Sequence, residues 1–298
     1  MSERMTISCL IPAYNAEAYL GEAIESALNQ TRRPDEVVII DDGSTDNTAA
    51  VAGCYPVRVV TQPNGGIVAA RNRAIAEAEG ELVAWLDADD IWMPDHLARL
   101  EPILGDHVVA FGDGVRLFPD GPETETYIDR SKLRDHYDVS STAPTVLDDR
   151  LYKALIPGLF VQNGFMLFRK RDGIRAGLYD PTQSTSEDRL FMISLCLLGT
   201  AIFDPHIHCH VRLHPDSATA PGKHLDVARE RLKALDKIET MIARRSDDED
   251  RRELARLRQV EHLRLRRLAS EQGLRNYIGV PGALTHPRDL VRAVVKSF

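Results

Sequence analysis

The segment EVVIIDDGSTD, residues 36–46, decides the predicted fold. Its first half, EVVII, is a short, continuous and largely β-branched run, which is typical of a strand covered on both faces. Its second half, DDGSTD, is a polar turn that leads into a short helix, with Ser44 or Thr45 as the cap. A cap does not explain why Asp41 and Asp42 stand side by side where the strand ends.

Strands and helices alternate on both sides of this segment. TISCLIPA at residues 6–13 is an apolar run too short for a helix, and the helix after it has Asn15 as its predicted cap. The next predicted elements are a strand at 57–61, a helix at 67–78 and the strand LVAWL at 82–86. This alternation predicts an α/β fold with a mainly parallel sheet flanked by helices.

Polar residues follow three of these strands. They are Tyr14-Asn15, Asp41-Asp42 and Asp87-Ala88-Asp89. In open sheets of this kind ligands gather at the carboxyl ends of the strands, so we expect the three clusters to meet at one edge.

The second half of the chain is less regular. Residues 114–160 accumulate proline, glycine and charge, which predicts an irregular insertion or lid, and a strand is expected at 164–168, followed by an apolar helix after Glu187-Asp188. Beyond residue 223, leucine and isoleucine recur at helical spacing on either side of Asp247–Asp250, which predicts a helical hairpin. We therefore expect a catalytic domain at 1–222 and a helical extension with a tail at 223–298.

Composition excludes several classes of protein. The 298 residues are 43% hydrophobic and 28% charged, as in ordinary soluble globular proteins, and no apolar stretch is long enough to cross a bilayer. No signal-peptide pattern precedes the first strand, which predicts a cytoplasmic location. The four cysteines lack metal-binding spacing and are interpreted as structural. His206, His208 and His210 alternate along a predicted strand, but a zinc site is disfavoured because Cys209 would lie on its other face.

Charge differs between the two predicted parts. Residues 1–222 contain 19 basic and 33 acidic residues, whereas residues 223–298 contain 18 and 12. The acidic body argues against nucleic acid as a partner. The basic helices are consistent with a solvated surface, a lid, a subunit interface (homo-oligomer) or a peripheral contact with an anionic membrane. A terminal apolar set adds to the membrane interpretation: Leu290, Val291, Val294, Val295, Phe298.

The polar clusters suggest chemistry on a nucleotide. Carboxylates two residues apart at a strand end can hold Mg²⁺ or Mn²⁺ against a phosphate, as Asp87 and Asp89 would. The alternative is a solvated acidic turn. A carboxylate such as Asp42 can accept a hydrogen bond from a base or a ribose, and Tyr14 offers a flat face for stacking.

Four motifs, taken in order, resemble family 2 glycosyltransferases of the GT-A fold. They are Ile11-Pro12-Ala13-Tyr14-Asn15; Ile40 to Asp46; Asn64-Gly65-Gly66 with Ala70-Arg71-Asn72; and Leu86-Asp87-Ala88-Asp89-Asp90 with Trp92. The likeness is strong over residues 5–105 and looser over 160–220, where Ser186-Glu187-Asp188-Arg189 resembles the acidic motif of the family and Arg212-Leu213-His214 its segment near the diphosphate.

The resemblance implies roles for individual residues. The nucleotide would be bound by Pro12, Tyr14, Asn15, Asp42, Arg71 and Asp87. Asp89 would hold a divalent cation, Mn²⁺ or Mg²⁺, with His214 as a further ligand. Asp188, beside Glu187, would be the general base. The sugar and acceptor pocket would be lined by Asn163 and Gly164, and Trp92 is either core or a platform for a sugar.

These roles describe an inverting transferase. It would move a sugar from a nucleotide-sugar donor, with UDP as the preferred carrier, to a hydroxyl of a glycan or lipid-linked acceptor in polysaccharide, lipopolysaccharide or other glycan assembly. Glu187-Asp188 could instead be ordinary first-turn acids of a helix. Alternative functions are a nucleotide-sugar-binding protein without turnover and a phosphatase that uses Asp87 and Asp89. A nucleotidyltransferase lacks support because the glycine-rich opening is absent.

Overall fold

The computed structural model describes residues 4–118, 120–214 and 224–271, and the chain divides between His214 and Pro215 into two units. The sequence placed this division at residues 222 and 223, and residues 215–223 lie outside the described part.

The first unit is built on one sheet, with strands in the order β3-β2-β1-β4-β9-β6-β10-β5, while β7 pairs with β6 and β8 with β10. The strands are β1 (Ile7–Ala13), β2 (Glu36–Asp41), β3 (Arg58–Thr61), β4 (Leu82–Trp85), β5 (Ile91–Trp92), β6 (Val109–Phe118), β7 (Gly121–Thr126), β8 (Thr145–Leu147), β9 (Met166–Arg169) and β10 (Ala201–Arg212).

Helices flank this sheet, and two more form the second unit. The first unit contains α1 (Leu20–Leu28), α2 (Thr48–Ala52), α3 (Ile67–Glu77), α4 (His96–Leu104), α5 (Leu133–His136), α6 (Tyr152–Leu155), α7 (Lys170–Arg175) and α8 (Glu187–Cys196), with a 3₁₀ turn at Asn163–Phe165. The second contains α9 (His224–Ile242) and α10 (Asp248–Glu271).

The direction of the strands places the candidate site. β1 is parallel to β2 and β4, and β2 is parallel to β3. β9 is antiparallel to both β4 and β6, so β6 runs in the same direction as β4, and β10 is parallel to β6. The carboxyl ends of β1–β4, β6 and β10 and the start of β9 therefore share one edge. The prediction of a mainly parallel α/β sheet is confirmed.

Pro12 lies in a central strand, which normally excludes proline because it lacks a backbone N–H. The pairing of β1 with β4 ends at Leu10 opposite Trp85, whereas its pairing with β2 continues to Ala13. Leu86 N still donates to Leu10 O at 3.1 Å, and beyond this point β4 leaves β1. Pro12 therefore stands where the two strands separate, at the opening of the site.

The prediction of an irregular insertion at 114–160 is wrong at its start. β6 continues to Phe118 and pairs with the antiparallel strand β7. Between residues 127 and 160 the elements are shorter. The sequence pattern of a strand is weak in β6 because glycines replace the usual strand residues. The strand β10, with which β6 pairs, is also far away in sequence. A Cβ at Gly112 would collide with the ring of His208, and a Cβ at Gly114 with the ring of Phe165. Close packing therefore requires glycine in this strand.

The prediction of a helical C-terminal region is confirmed. α9 and α10 contact each other along apolar faces that include Leu235, Ile238 and Leu254, all nearly fully buried. The break predicted at Asp247–Asp250 falls at the start of α10. Asp247 precedes this helix and its Oδ1 accepts from the backbone N–H of Asp250 at 3.0 Å, while residues 248–250 form the first turn. No helix in the described residues is long and apolar enough to span a membrane. The predicted terminal apolar set at 290–298 lies outside the described residues.

Candidate active site

Arg71 joins the two acidic motifs of the first unit. It lies on α3, is 5% exposed, and donates to Asp87 Oδ1 at 3.0 Å and to Glu187 Oε1 at 2.5 Å. Although burial lowers the pKa of this guanidinium, the charges of Asp87 and Glu187 raise it above the ordinary value. A permanent cation therefore holds the loop after β4 against the start of α8, two segments that are 100 residues apart in sequence.

Asn163 and Tyr179 complete the contacts of Arg71. With its amide oxygen facing the guanidinium, Asn163 accepts from both terminal nitrogens of Arg71 at 3.0 Å and donates to the Tyr179 hydroxyl at 2.8 Å. The Arg71 guanidinium also lies 5.5 Å from the centre of the Tyr179 ring. Sequence reasoning assigned Asn163 to the pocket and missed Tyr179, because a tyrosine in a loop carries no motif.

Tyr179 is held from two further directions. Its backbone N–H donates to Asn72 Oδ1 at 2.9 Å, and its carbonyl accepts from Asn72 Nδ2 at 2.8 Å. Its ring stacks on Phe191 of α8, with 4.3 Å between centroids. The Arg71-Asn72 pair thus supports the site from both sides: the arginine binds the acids, and the asparagine fixes the tyrosine that packs on the acidic helix.

Glu187 and Asp188 form the first turn of α8, as the simpler interpretation expected, and they also belong to the Arg71 network. The residue before them, Ser186, has a left-handed backbone with φ 64°, an uncommon conformation outside glycine. Burial and the charge of Asp188 raise the pKa of Glu187 to about 7. Burial also raises the pKa of Asp188, which is half-buried. The aspartate is therefore a better proton acceptor than an ordinary surface carboxylate.

The Asp87–Asp90 loop is closed by residues at the end of β10. Arg212 N donates to Asp90 Oδ1, and its Nε to the carbonyl of Asp89, each at 3.0 Å. His214 Nε2 lies 3.0 Å from Asp89 Oδ2. Burial and the neighbouring acids raise the pKa of Asp90 well above its ordinary value. Asp90, at 4% exposure, is a structural member of the loop, whereas Asp89 is half-buried and faces His214.

The donor atoms at this loop fit a divalent cation shared with a diphosphate. Asp89 supplies a carboxylate oxygen and His214 an imidazole nitrogen, and Mg²⁺ or Mn²⁺ at such sites takes its other ligands from phosphate and water. No group of three or more histidine, cysteine or acidic side chains suited to a metal occurs among the described residues. Asp89 and His214 are thus the side chains of this loop that could contribute ligands to a cation.

Asp42 is buried and fully engaged. Its two carboxylate oxygens accept from Gln62 Nε2 at 2.7 Å and from the backbone N–H groups of Gly65 and Gly66 at 2.9 and 2.8 Å. Gly66, with φ 81°, directly precedes α3, so the carboxylate also sits at the start of that helix. Asp42 holds the loop at 62–66, and a contact with a base stays a prediction.

Tyr14 and Asn15 extend from the end of β1 to the turn after β2. Tyr14 is 51% exposed, which leaves its ring available for stacking. Asn15 does not cap α1, which begins at Leu20, so that expectation is wrong. Its backbone is left-handed, with φ 49°, and its Oδ1 accepts from Thr45 N at 2.8 Å. It ties the two strand ends together instead of capping the helix.

Trp92 lies in the core. It is 2% exposed, it stacks on His96 with 4.3 Å between centroids, and its Nε1 donates to the carbonyl of Gly164 at 2.9 Å. Of the two roles left open by the sequence, these contacts favour core packing over a platform for a sugar. Trp92 thereby fixes the carbonyl of Gly164.

The histidines of β10 do not share one environment. Shifts in register with β6 occur between Phe203 and Cys209, and His206 is exposed whereas His208 is fully buried. His208 Nδ1 lies 3.1 Å from His96 Nδ1, and its Nε2 lies 3.2 Å from Asp204 Oδ2. His206 and His208 thus contact Asp204 and His96 and do not converge on one another. The four cysteines form no disulfide, and Cys54 alone is exposed.

Comparisons with known proteins identify the class and then the family. S. aureus TarS 1-349, solved with UDP-GlcNAc, superposes with a TM-score of 0.61 at 18% identity, over 98% of this chain and 80% of that one. The mannosyltransferase PcManGT from Pyrobaculum calidifontis, solved with GDP-Man and Mn²⁺, gives 0.59 at 19% identity, over 99% and 81%. The predicted GT-A fold is confirmed.

The sequence profile described as glycosyl transferase family 2 matches residues 8–175, and the chain belongs to this family. A chondroitin synthase of Pasteurella multocida (strain Pm70) is 47% identical over 94 residues, which are 30% of this chain and 10% of the synthase. The chain thus spans about a tenth of the length of that relative.

Proposed function

We propose that this protein is an inverting, cation-dependent glycosyltransferase. It transfers a sugar from a nucleotide-sugar donor to a hydroxyl group of a glycan or lipid-linked acceptor. The observation that carries the proposal is the double contact of Arg71 with Asp87 and Glu187, at 3.0 and 2.5 Å. It brings the residues suited to the donor and those suited to the proton transfer into one site.

The donor would lie along the ends of β1, β2 and β4. Tyr14 is exposed where a base could stack, and Asp87 is half-buried beside Arg71, where it can accept from a ribose hydroxyl. We favour UDP as the carrier because Tyr14 and Asp42 match the uridine pattern of the family. TarS, solved with UDP-GlcNAc, supports this choice, and PcManGT, solved with GDP-Man, is the alternative precedent.

Asp89 and His214 would hold the cation against the diphosphate. When bound, the cation supplies charge neutralisation for the departing nucleoside diphosphate. Arg212 keeps the Asp87–Asp90 loop in place through its contacts with Asp89 O and Asp90, so the carboxylate of Asp89 is presented in a defined position.

Asp188 would accept the proton of the acceptor hydroxyl as that oxygen attacks the anomeric carbon. A single displacement inverts the configuration of the sugar. The contacts of Asp87 with Arg71 and of Asp89 with His214 argue against a phosphatase, since a nucleophilic aspartate needs an unobstructed carboxylate. A binding protein without turnover is the remaining alternative, which substitution of Asp188 discriminates.

The acceptor belongs to polysaccharide, lipopolysaccharide or other glycan assembly, in line with the likeness to a chondroitin synthase. A cytoplasmic location remains a prediction of the sequence.

Nucleotide sugars are expected to stabilise the protein in a cation-dependent manner. A ligand at 100 times its dissociation constant adds about 2.7 kcal/mol to the free energy of unfolding. We expect UDP-sugars with Mn²⁺ to raise Tm by several degrees, and Asp89→Asn to remove the part of this rise that requires Mn²⁺. A thermal-shift panel of nucleotide sugars with and without Mn²⁺ measures both effects. Asp106→Asn, an exposed aspartate, is the matched control, and a panel without any shift would contradict the proposal.

The helical extension is expected to mediate association. In α10, Arg258 forms ion pairs with Asp236 and Glu239 of α9, with N–O distances of 2.9 and 2.7 Å. The N–O distance between Arg264 and Glu261 is longer, at 3.7 Å. Truncation after residue 222 should reduce co-sedimentation with anionic vesicles or the size of the oligomer in light scattering. Unchanged behaviour in both assays would contradict this role.

A further inference from the structure

Arg116 lies at the same sheet edge as the candidate active site. It is near the carboxyl end of β6, paired in register with Val211 of β10, and it is half-buried. Its position in the sheet differs from that of the donor residues. The order β3-β2-β1-β4-β9-β6 puts β9, and the pocket residues Asn163 and Gly164 that precede it, between Arg116 and the strands that carry the nucleotide motifs.

The charge of Arg116 is not matched by an acid. In residues 4–118, 120–214 and 224–271, no carboxylate lies within ion-pair distance of its guanidinium. The other two arginines of this edge are each paired with acids: Arg71 with Asp87 and Glu187, and Arg212 with Glu22 at 2.6 Å. A half-buried guanidinium without a counterion, in a unit rich in acids, indicates that an anion is supplied from outside.

Tyr127 holds the guanidinium in place. Its ring centre lies 6.0 Å from the guanidinium carbon of Arg116, and its backbone N–H donates to the carbonyl of Gly114 at 3.0 Å. Burial raises the pKa of Tyr127 to about 12, so the phenol is neutral and adds a hydroxyl, not a competing charge. The Tyr127 side chain also hydrogen-bonds to Arg116, which restrains the guanidinium. A planar guanidinium has five N–H donors and so retains others for an anion.

The Arg116-Tyr127 pair adjoins the pocket. The Tyr127 ring meets the Phe165 ring edge-on, with 5.2 Å between centroids, and Phe165 follows Asn163 and Gly164 in the 3₁₀ turn before β9. A Cβ at Gly164 would stand 3.9 Å from Asp90 Oδ2, so this turn also lies beside the Asp87–Asp90 loop. The pair therefore borders the pocket on the side opposite the nucleotide strands, where an acceptor would enter.

Resting on the proposed function, we infer that Arg116 and Tyr127 form an anion-binding subsite for the acceptor. The subsite takes a carboxylate or phosphate group carried by the acceptor, next to the sugar pocket. Arg116 provides the charge-assisted hydrogen bonds, and Tyr127 keeps its guanidinium in position. The acceptor is therefore an anionic glycan or a phosphate-bearing one.

The test measures binding of charged and uncharged sugars to the full chain saturated with UDP and Mn²⁺. Glucuronate, glucose 6-phosphate and glucose are titrated by NMR. We expect one or both anionic sugars to bind at least tenfold more tightly than glucose, since a charge-assisted pair contributes about 1.5–3 kcal/mol. Arg116→Ala should abolish this preference, and 0.5 M NaCl should reduce it. The comparison of carboxylate with phosphate identifies the anion.

Arg33→Ala is the charge-matched control, since Arg33 is exposed and lies at the opposite end of β2. It should keep the preference for the anionic sugar. The inference is overturned if the wild type binds glucose as tightly as its charged analogues, or if Arg116→Ala retains the preference. It is also overturned if Arg116→Ala lowers the affinity for UDP, because the arginine would then belong to the donor diphosphate. If the wild type bound neither UDP nor GDP in the presence of Mn²⁺, the proposed function itself would be refuted, so the two failures are distinguishable.

Discussion

Asp188→Asn will slow sugar transfer by orders of magnitude while nucleotide binding survives. The substitution keeps the shape of the side chain and an oxygen that can accept from Arg189 N, at 2.7 Å in the wild type. It removes the capacity to take a proton, and loss of a general base costs about 10²–10⁴-fold in rate. We expect kcat to fall by this factor, with the dissociation constant for a UDP-sugar within about threefold of the wild-type value.

The pH profile provides a second measure of the same residue. Burial raises the pKa of Asp188, so the acid limb of the wild-type kcat/KM should lie above the ordinary range for aspartate and should be absent from the residual activity of Asp188→Asn. Asp135→Asn makes the same chemical change on an exposed side chain and should leave the rate unchanged. Full transfer activity in Asp188→Asn would remove Asp188 from the mechanism.

Arg71→Ala will cause the largest loss of stability. It leaves Asp87 and Glu187 without their shared cation, and Glu187 is 7% exposed. Removal of one partner from a buried ion pair costs about 3–5 kcal/mol. For a unit of this size the loss corresponds to roughly 10 °C in Tm. Transfer activity should fall as well, because the Asp87–Asp90 loop and the start of α8 lose their connection.

The loss of stability in Arg71→Ala should depend on pH. Because the pKa of Glu187 is raised to about 7, folding favours its protonated form, and the stability contributed by this group is complete below its unfolded pKa and is lost as pH rises through 7. Without Arg71 the ionised carboxylate is penalised further, so the difference between Arg71→Ala and wild type should be larger at pH 8 than at pH 5. Thermal unfolding at both pH values measures it.

Arg73→Ala is the matched control on the same helix. Arg73 is half-exposed and pairs with Glu77 one turn away, an arrangement that contributes about 0.5 kcal/mol. It should change Tm by about 1–2 °C at both pH values. An equally small effect of Arg71→Ala would contradict the proposed link between the two acidic motifs.

Much of the fold could be predicted because local sequence and tertiary environment agree in the first half of the chain. Short, continuous and β-branched runs such as EVVII are typical of strands covered on both faces, and this one ends in a polar cluster at the edge where the site lies. The prediction was wrong for β6, where glycines remove the strand signal and the pairing partner is about 90 residues away. Contacts of that range leave no periodicity in a local window.

The candidate site divides in the same way. Motifs identified Arg71, Asp87, Asp89 and Asp188, whose chemistry is visible in their residue types and order. Tyr179, which contacts Arg71 through Asn163 and packs on Phe191 of α8, has no motif and became visible only through its contacts. The role of Asn15 was mistaken because a left-handed backbone and a bond to Thr45 cannot be read from composition.

The amino-acid sequence by itself determined that the first unit is a parallel α/β sheet and that acidic residues collect at one edge, since both follow from strand length, burial and the direction of crossovers. Tertiary structure alone decided which acids act together. Arg71 forms hydrogen bonds with Asp87 and Glu187, and the backbone N–H of Arg212 donates to Asp90. The carboxylate of Asp42 is bound by the loop at 62–66. The physical reason is that a buried charge must find its partner in space, and the nearest opposite charge or N–H group is set by packing between distant segments.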